Sequence, residues 1–182
     1  MLKNQQPVIR GRWLAFAAAC GAGLGLDLWT KQWAWDTLRG PGGEAWVVWP
    51  SVLEMDFAFN LGSAFGVLPR VDYPLAIAVI TALLIGWVLH ATREAGAGRL
   101  RGAAAGLIAA GALGNLHDRL LRVDELGRHG VVDFIRVHLP WGTTWPSFNV
   151  ADALLVVGVV LLMWTLRGAG ERAQVTSEAV TS

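Results

Sequence analysis

The sequence predicts an all-α membrane protein in which four transmembrane helices carry a small extramembrane β-sheet. Three observations support that expectation. Of the 182 residues, 54% are hydrophobic and only 16% are charged, whereas soluble domains run at about 25% charged. Four apolar stretches approach the roughly 20 residues needed to cross a hydrocarbon core, and polar or glycine-rich links separate them. Between the first two stretches, Leu53-Glu54-Met55-Asp56-Phe57-Ala58-Phe59-Asn60 alternates apolar and polar with the period of a strand. The length suits one compact bundle. A net charge of +1 gives no electrostatic case for a nucleic-acid partner. The lone Cys20 forms no internal disulfide and reads as a small apolar helix residue.

The first span is expected at 13–35, apolar until Asp27 and Lys31. The basic start (Lys3, Arg10, Arg12) and Ala17-Ala18-Ala19-Cys20 faintly suggest a cleaved leader, but the apolar run before Cys20 is short and continues well past it, so a retained helix is expected. Gly40-Pro41-Gly42-Gly43 breaks the helix, and a surface sheet is expected over about 44–66, with Trp46 and Trp49 suited to the headgroup level. Further spans are expected at 73–91, 102–121 and 150–166. The third is rich in Ala and Gly, which allow close helix packing. Residues 122–148 read as an exterior loop and 168–182 as a disordered polar tail, so that 1–167 form a single membrane domain.

With four spans, the ends of the first and third helices meet the starts of the second and fourth. That one side collects Asp27, Lys31, Asn60, Asn115, Asp118, Arg119, Asn149 and Asp152. Lys and Arg number eight on the opposite side and seven on this one, but the eight crowd short flanks with few acids. By the positive-inside rule both termini are expected in the cytoplasm and the polar side outside. Seven of the ten Trp residues (29, 33, 35, 46, 49, 141, 145) fall on that outer side, as an aromatic belt would require.

Acids beside apolar spans are costly unless paired or facing water, so they mark a functional site. Asp133 and Asp152 each sit in apolar surroundings that discourage two full negative charges. Two close carboxyls share a proton, giving one group that can take a proton from water and one that can protonate a leaving group. That state hydrolyses an amide without a metal or a covalent intermediate. Asn60, Asn115 and Asn149 can orient carbonyls or the acids themselves. Gly62 either shapes a turn or lets a ligand approach the backbone beside Asn60. Structural roles suit others: Asp118 with Arg119 as an internal ion pair, Asp27 and Lys31 as an interfacial i, i+4 pair, Asn149 as a helix N-cap. His90, His117, His129 and His138 lack metal-site spacing, no nucleophile is evident, and neither metal nor cofactor is expected. A proton-coupled transporter would spread its acids through the membrane depth and often shows an internal repeat, and a noncatalytic scaffold leaves the acids unexplained.

From Trp13 to Arg167 the chain resembles the lipoprotein signal peptidases, the aspartic signal peptidase II family of bacteria. The resemblance rests on Asp27-Leu28-Trp29-Thr30-Lys31, Phe59-Asn60-Leu61-Gly62-Ser63-Ala64-Phe65-Gly66, Gly114-Asn115 with Asp118-Arg119, Val131-Val132-Asp133-Phe134, and Phe148-Asn149-Val150-Ala151-Asp152, in that order. It implies a four-helix enzyme of the bacterial inner membrane, and a monomer is expected. Such an enzyme removes the signal peptide of a prolipoprotein by cutting just before a diacylglyceryl-modified Cys, and is inhibited by globomycin-type cyclic peptides. It further implies Asp133 and Asp152 as the catalytic dyad, with Asn60, Asn115, Asn149 and Arg119 lining or bracing the site. The segment Leu120 to Gly130, with its Arg122, Asp124, Glu125 and Arg128, is longer than the family's usual link, and Ser63 stands where a small apolar residue is common.

Overall fold

A computed structural model describes residues 6–40, 44–62, 74–93 and 98–181, with side chains over 9–40, 44–62, 77–93 and 98–167. The chain runs α1 (Gln6–Thr37), β1 (Trp46–Trp49), β2 (Leu53–Asn60), α2 (Pro74–Arg93), α3 (Arg99–Leu121), β3 (Val131–Val137) and α4 (Val150–Thr181). Residues 63–66 of the expected sheet segment, and the first residue of the second expected span, lie outside the described residues.

Helix α3 is the packing centre, lying against α1, α2, α4 and β3. Its composition explains why. Ala104, Ala105, Ile108, Ala109 and Ala110 are buried, and small side chains let helix backbones approach within van der Waals contact. At Gly106 even a methyl group would collide with the Phe16 carbonyl and the Cys20 backbone nitrogen of α1. Val88 and Leu162 close a core around Ala104, Ala105 and Ile108.

The outward faces of α2 and α4 invert the pattern of a water-soluble bundle. Val79, Ile80, Leu83 and Trp87 on α2, and Val156, Val157, Val160, Met163 and Trp164 on α4, are all exposed. The fold is therefore that of a membrane-associated helical protein with a small sheet. Among the described residues, two helices are long and apolar enough to cross a bilayer, over Ile9–Thr37 and Val150–Arg167, and a shorter apolar helix covers Ile77–Arg93. Helix α3 falls short of that measure because Arg99, Arg101, Asp118 and Arg119 flank a stretch of Ala and Gly.

The antiparallel sheet has the order β1-β2-β3. Its third strand corrects the expected exterior loop 122–148: Val131–Val137 pairs with β2, with Ala58 opposite Asp133 and Asn60 opposite Val131. Val131, Val132, Asp133 and Phe134 are all buried. A strand covered on both faces shows no apolar–polar alternation, and so lacks the period that betrays β2. The sheet rests on the end of α1, where Ala34 and Leu38 pack with Val132 and Phe134 beside Trp33, Trp35, Met55, Phe57 and Phe59. Trp29, Trp46, Trp49, Trp141 and Trp145 remain exposed around it.

The link before β3 takes a defined shape, and one other expectation changes. The long link 122–130 folds back on itself: Val123 bridges His129, and Asp124 pairs with Arg128 at 2.6 Å. Hydrogen bonds from Arg128 and from backbone N–H groups hold the Asp124 carboxyl below the ordinary carboxylate range. Helix α4 continues to Thr181, through the segment expected to be a disordered tail. That segment has no Pro and contains the good helix formers Glu171, Arg172, Ala173, Gln174, Glu178 and Ala179.

Gly106→Ala is expected to push α1 away from α3 and lower stability by about 1–3 kcal/mol, the usual range for overpacking. Gly25→Ala, where an added methyl meets nothing within 4 Å, serves as its control and should be neutral or mildly stabilising. Thermal unfolding in detergent compares the two.

Candidate active site

The site forms where β2, β3, the end of α3 and the start of α4 converge on the end of α1. Asp133 is carried by β3, where strand pairing sets it opposite Ala58. Asp152 is the third residue of α4, and Asn149 is the residue just before that helix. These two make a reciprocal cap: the Asp152 N–H donates to Asn149 Oδ1 at 3.1 Å, and the Asn149 N–H donates to Asp152 Oδ2 at 3.1 Å. The arrangement satisfies two N-terminal N–H groups that a helix leaves unpaired. Asn149 is thus the N-cap its position suggested, but its side-chain nitrogen also donates to Asp133 Oδ1 at 2.7 Å and to Asn115 Oδ1 at 3.2 Å. A single residue therefore contacts both aspartates.

The remaining amides complete the set. Asn60 Nδ2 donates to Asp133 Oδ2 at 2.9 Å, and Asn115 Nδ2 donates to Asp152 Oδ1 at 2.9 Å. An Asn side chain can be turned either way, and its partners decide which end faces where. Here each amide oxygen already accepts an N–H from elsewhere: Asn60 Oδ1 from Gly62 N at 3.0 Å, Asn149 Oδ1 from Asp152 N, and Asn115 Oδ1 from Lys31 Nζ at 2.8 Å. With the oxygens held, the NH2 groups turn to the carboxylates. Arg119 holds the Asn60 side by donating to the Gly62 carbonyl at 2.5 Å.

Asp27 and Lys31 pair at 2.9 Å, as their i, i+4 spacing predicts, but both side chains are 0% exposed. The expected interfacial location is corrected: the pair lies inside the bundle, because α3 covers that face of α1. Asp27 Oδ1 accepts the Ala151 N–H at 2.8 Å, tying α1 to the first turn of α4. Its other oxygen occupies the space a side chain at Gly114 would need.

The expected Asp118–Arg119 ion pair is also corrected. Consecutive helix residues point about 100° apart, whereas residues four apart share a face. Asp118 accordingly pairs with Arg122 at 2.8 Å and lies 3.7 Å from Lys31, while its Oδ2 accepts the Val132 N–H at 3.1 Å. This bond joins α3 to β3 one residue before Asp133. Arg122 was not picked out as a site residue from the sequence, although its i, i+4 spacing from Asp118 was the available signal. It further donates to Gln32 Oε1 at 3.1 Å and lies over the Trp35 ring at 5.2 Å, with Arg39 at 4.1 Å from the same ring.

Burial raises the Asp133 carboxyl from the ordinary 3.8 to about 6, against the opposing effect of the Asn60 amide, while the Asp152 charge adds to the rise. Folded Asp133 thus binds its proton more tightly than the unfolded chain does. Stability is expected to be highest below 3.8 as far as this group is concerned, and to decline as pH rises from 3.8 to about 6. Asp133→Asn should flatten that decline, as read from denaturation midpoints across the interval. Gly114→Ala is expected to displace the Asp27 carboxylate, costing about 1–3 kcal/mol and reducing any activity that depends on the network; unfolding and turnover measured on the same preparation check both.

A protein-family model described as signal peptidase (SPase) II matches residues 19–167. The lipoprotein signal peptidase of Azoarcus sp. (strain BH72) is 36% identical over 166 residues, covering 87% of this chain and 84% of that protein. The lipoprotein signal peptidase of Geobacillus kaustophilus (strain HTA426) is 36% identical over 155 residues, covering 82% and 88%. A bacterial membrane enzyme solved by the in meso method at 2.3 Å resolution aligns with a TM-score of 0.70 at 28% identity, covering 86% of this chain and 90% of its own. With a family model matching most of its length, relatives more than 30% identical over most of both chains, and a fold in agreement with a solved membrane enzyme, the chain belongs to the signal peptidase II family of aspartic peptidases, hydrolases that act on prolipoprotein signal peptides.

Proposed function

We propose that Asp133 and Asp152 are the catalytic dyad, and that the enzyme cuts a prolipoprotein immediately before its diacylglyceryl-modified Cys. The observation that carries this reading is the chain of amides from Asn60 through Asp133, Asn149 and Asn115 to Asp152. It supplies fixed donors to two carboxyl groups in a largely buried setting. The pair holds one proton between its two carboxyls. One group removes a proton from water as the water attacks the scissile carbonyl, and the other protonates the departing Cys nitrogen. The carbonyl carbon–nitrogen bond breaks, releasing the signal peptide with a carboxylate and the lipoprotein with a free amine. Asn60, Asn115 and Asn149 hold the acids in place, and Arg119, through the Gly62 carbonyl, braces the strand end that carries Asn60.

The signal helix enters from the bilayer beside the exposed apolar faces, while the diacylglyceryl chains stay in lipid. The chain around the scissile bond lies extended against β2, which exposes its amide. Reading α2 and α3 as spans alongside α1 and α4 gives four crossings of the bacterial inner membrane. The termini then lie in the cytoplasm and the dyad near the outer face, level with the exposed Trp29, Trp46, Trp49, Trp141 and Trp145. Globomycin-type cyclic peptides inhibit the enzyme by occupying the place of the substrate, and the working unit is a monomer.

The test is cleavage of one prolipoprotein, with and without its diacylglyceryl group, by wild type and by folded Asp133→Asn and Asp152→Asn. Each variant is expected to lose at least about 10³-fold in kcat, and the wild type to cut only the lipidated form. Wild-type cutting rates in either folded variant would remove that residue from the dyad.

A further inference from the structure

Lys31 touches neither aspartate of the dyad, yet its ammonium donates to one of the three amides around them. That ammonium has three N–H bonds and no acceptor. One is directed to Asn115 Oδ1 at 2.8 Å, and the ammonium forms an ion pair with Asp27 Oδ2 at 2.9 Å, with Asp118 further off at 3.7 Å. A buried ion pair by itself is weak grounds for a stabilising role, since well-packed apolar residues often serve as well. The Asn115 contact is different in kind. Asn115 lies between three groups: Lys31 and Asn149 Nδ2 at its oxygen, and Asp152 Oδ1 at its nitrogen. If the amide were turned over, its NH2 would face the Lys31 ammonium and the Asn149 NH2, and its oxygen would face the Asp152 carboxylate. Both ends would then oppose like with like. Asn149 Nδ2 is shared with Asp133 at the shorter distance of 2.7 Å, leaving Lys31 as the stronger lock on the Asn115 oxygen.

We infer that Lys31 is a positioning residue for the hydrolysis, setting the orientation of the Asn115 amide so that its NH2 stays directed at Asp152. The inference rests on the dyad reading above. Its action is a relay of two hydrogen bonds: Lys31 Nζ to Asn115 Oδ1, and Asn115 Nδ2 to Asp152 Oδ1. Asp27 keeps the ammonium in place, and the Ala151 N–H keeps Asp27 in place. The same buried pair thereby links the α1 backbone to the α4 turn bearing Asp152.

The experiment uses full-length protein in detergent and a lipidated prolipoprotein, comparing wild type with Lys31→Met, Lys31→Gln and Asp27→Asn/Lys31→Met. The double variant removes the acid that Lys31→Met would leave unpaired, while the amide introduced in place of the Asp27 carboxylate still offers an oxygen to the Ala151 N–H. Lys31→Gln loses the charge but keeps an N–H donor. In folded Lys31→Met and in the double variant, kcat should fall on the order of 10²-fold, as displaced catalytic groups do, with KM within about 2-fold because Lys31 does not meet substrate. Lys31→Gln should recover at least about 10-fold of that loss in kcat. If the folded double variant turns over at the wild-type kcat, or if the loss lies in KM alone, Lys31 has no positioning role. If Lys31→Gln is as slow as Lys31→Met at equal stability, orientation by a donor is overturned. Failure of the dyad reading gives a different result: Asp133→Asn or Asp152→Asn cuts as well as wild type in the same assay.

Discussion

Two carboxyl groups inside a bundle of apolar helices are a standing electrostatic cost, and the rest of the fold is arranged around meeting it with hydrogen bonds. Neutral amides suit the task. An ammonium or guanidinium in direct contact would bind a carboxylate tightly and hold it ionised, whereas an amide NH2 orients it and leaves room for a proton. Asn60, Asn115 and Asn149 supply those groups. The cations are kept one step away: Lys31 behind Asn115, and Arg119 behind Gly62.

That requirement explains the architecture between the helices. Asp133 needs donors on both oxygens, and it receives one from the neighbouring strand and one from the residue capping α4. Only a strand paired with β2 can hold it opposite Ala58 and close to Asn60. The sheet is in turn seated on the end of α1 by Trp33, Trp35, Phe57, Phe59 and Phe134. Asp118, through the Val132 N–H, ties β3 to α3. The small side chains of α3 let α1 and α4 come close enough for Asp27 to reach the Ala151 N–H. A bulkier α3 would open a gap wider than a hydrogen bond.

Much of the site was legible because its chemistry is expensive. Asp27, Lys31, Asp118, Asp133 and Asp152 stand out in apolar surroundings, and three Asn residues recur at the same side by helix parity. The relations among them were harder to read. Adjacency in sequence suggested Asp118 with Arg119, while the helix turn paired Asp118 with Arg122. An i, i+4 pair looks the same on paper at a surface and in a core, so Asp27 and Lys31 gave no sign of being fully enclosed. Burial on both faces over Val131, Val132, Asp133 and Phe134 removed the alternation that would have marked the start of β3 as a strand.

The amino-acid order alone determined the helical membrane character, the β2 strand, the family and the residue types available for chemistry, since hydropathy, period and motif are local properties of a chain. Tertiary structure decided which amide faces which acid, that β3 completes the sheet, and that Lys31 is wired to Asn115 rather than left at a surface. Those outcomes depend on groups 84 residues apart for Lys31 and Asn115, and 73 apart for Asn60 and Asp133. A hydrogen bond across such a separation is fixed by how helices and strands pack, and no window of sequence contains both of its ends.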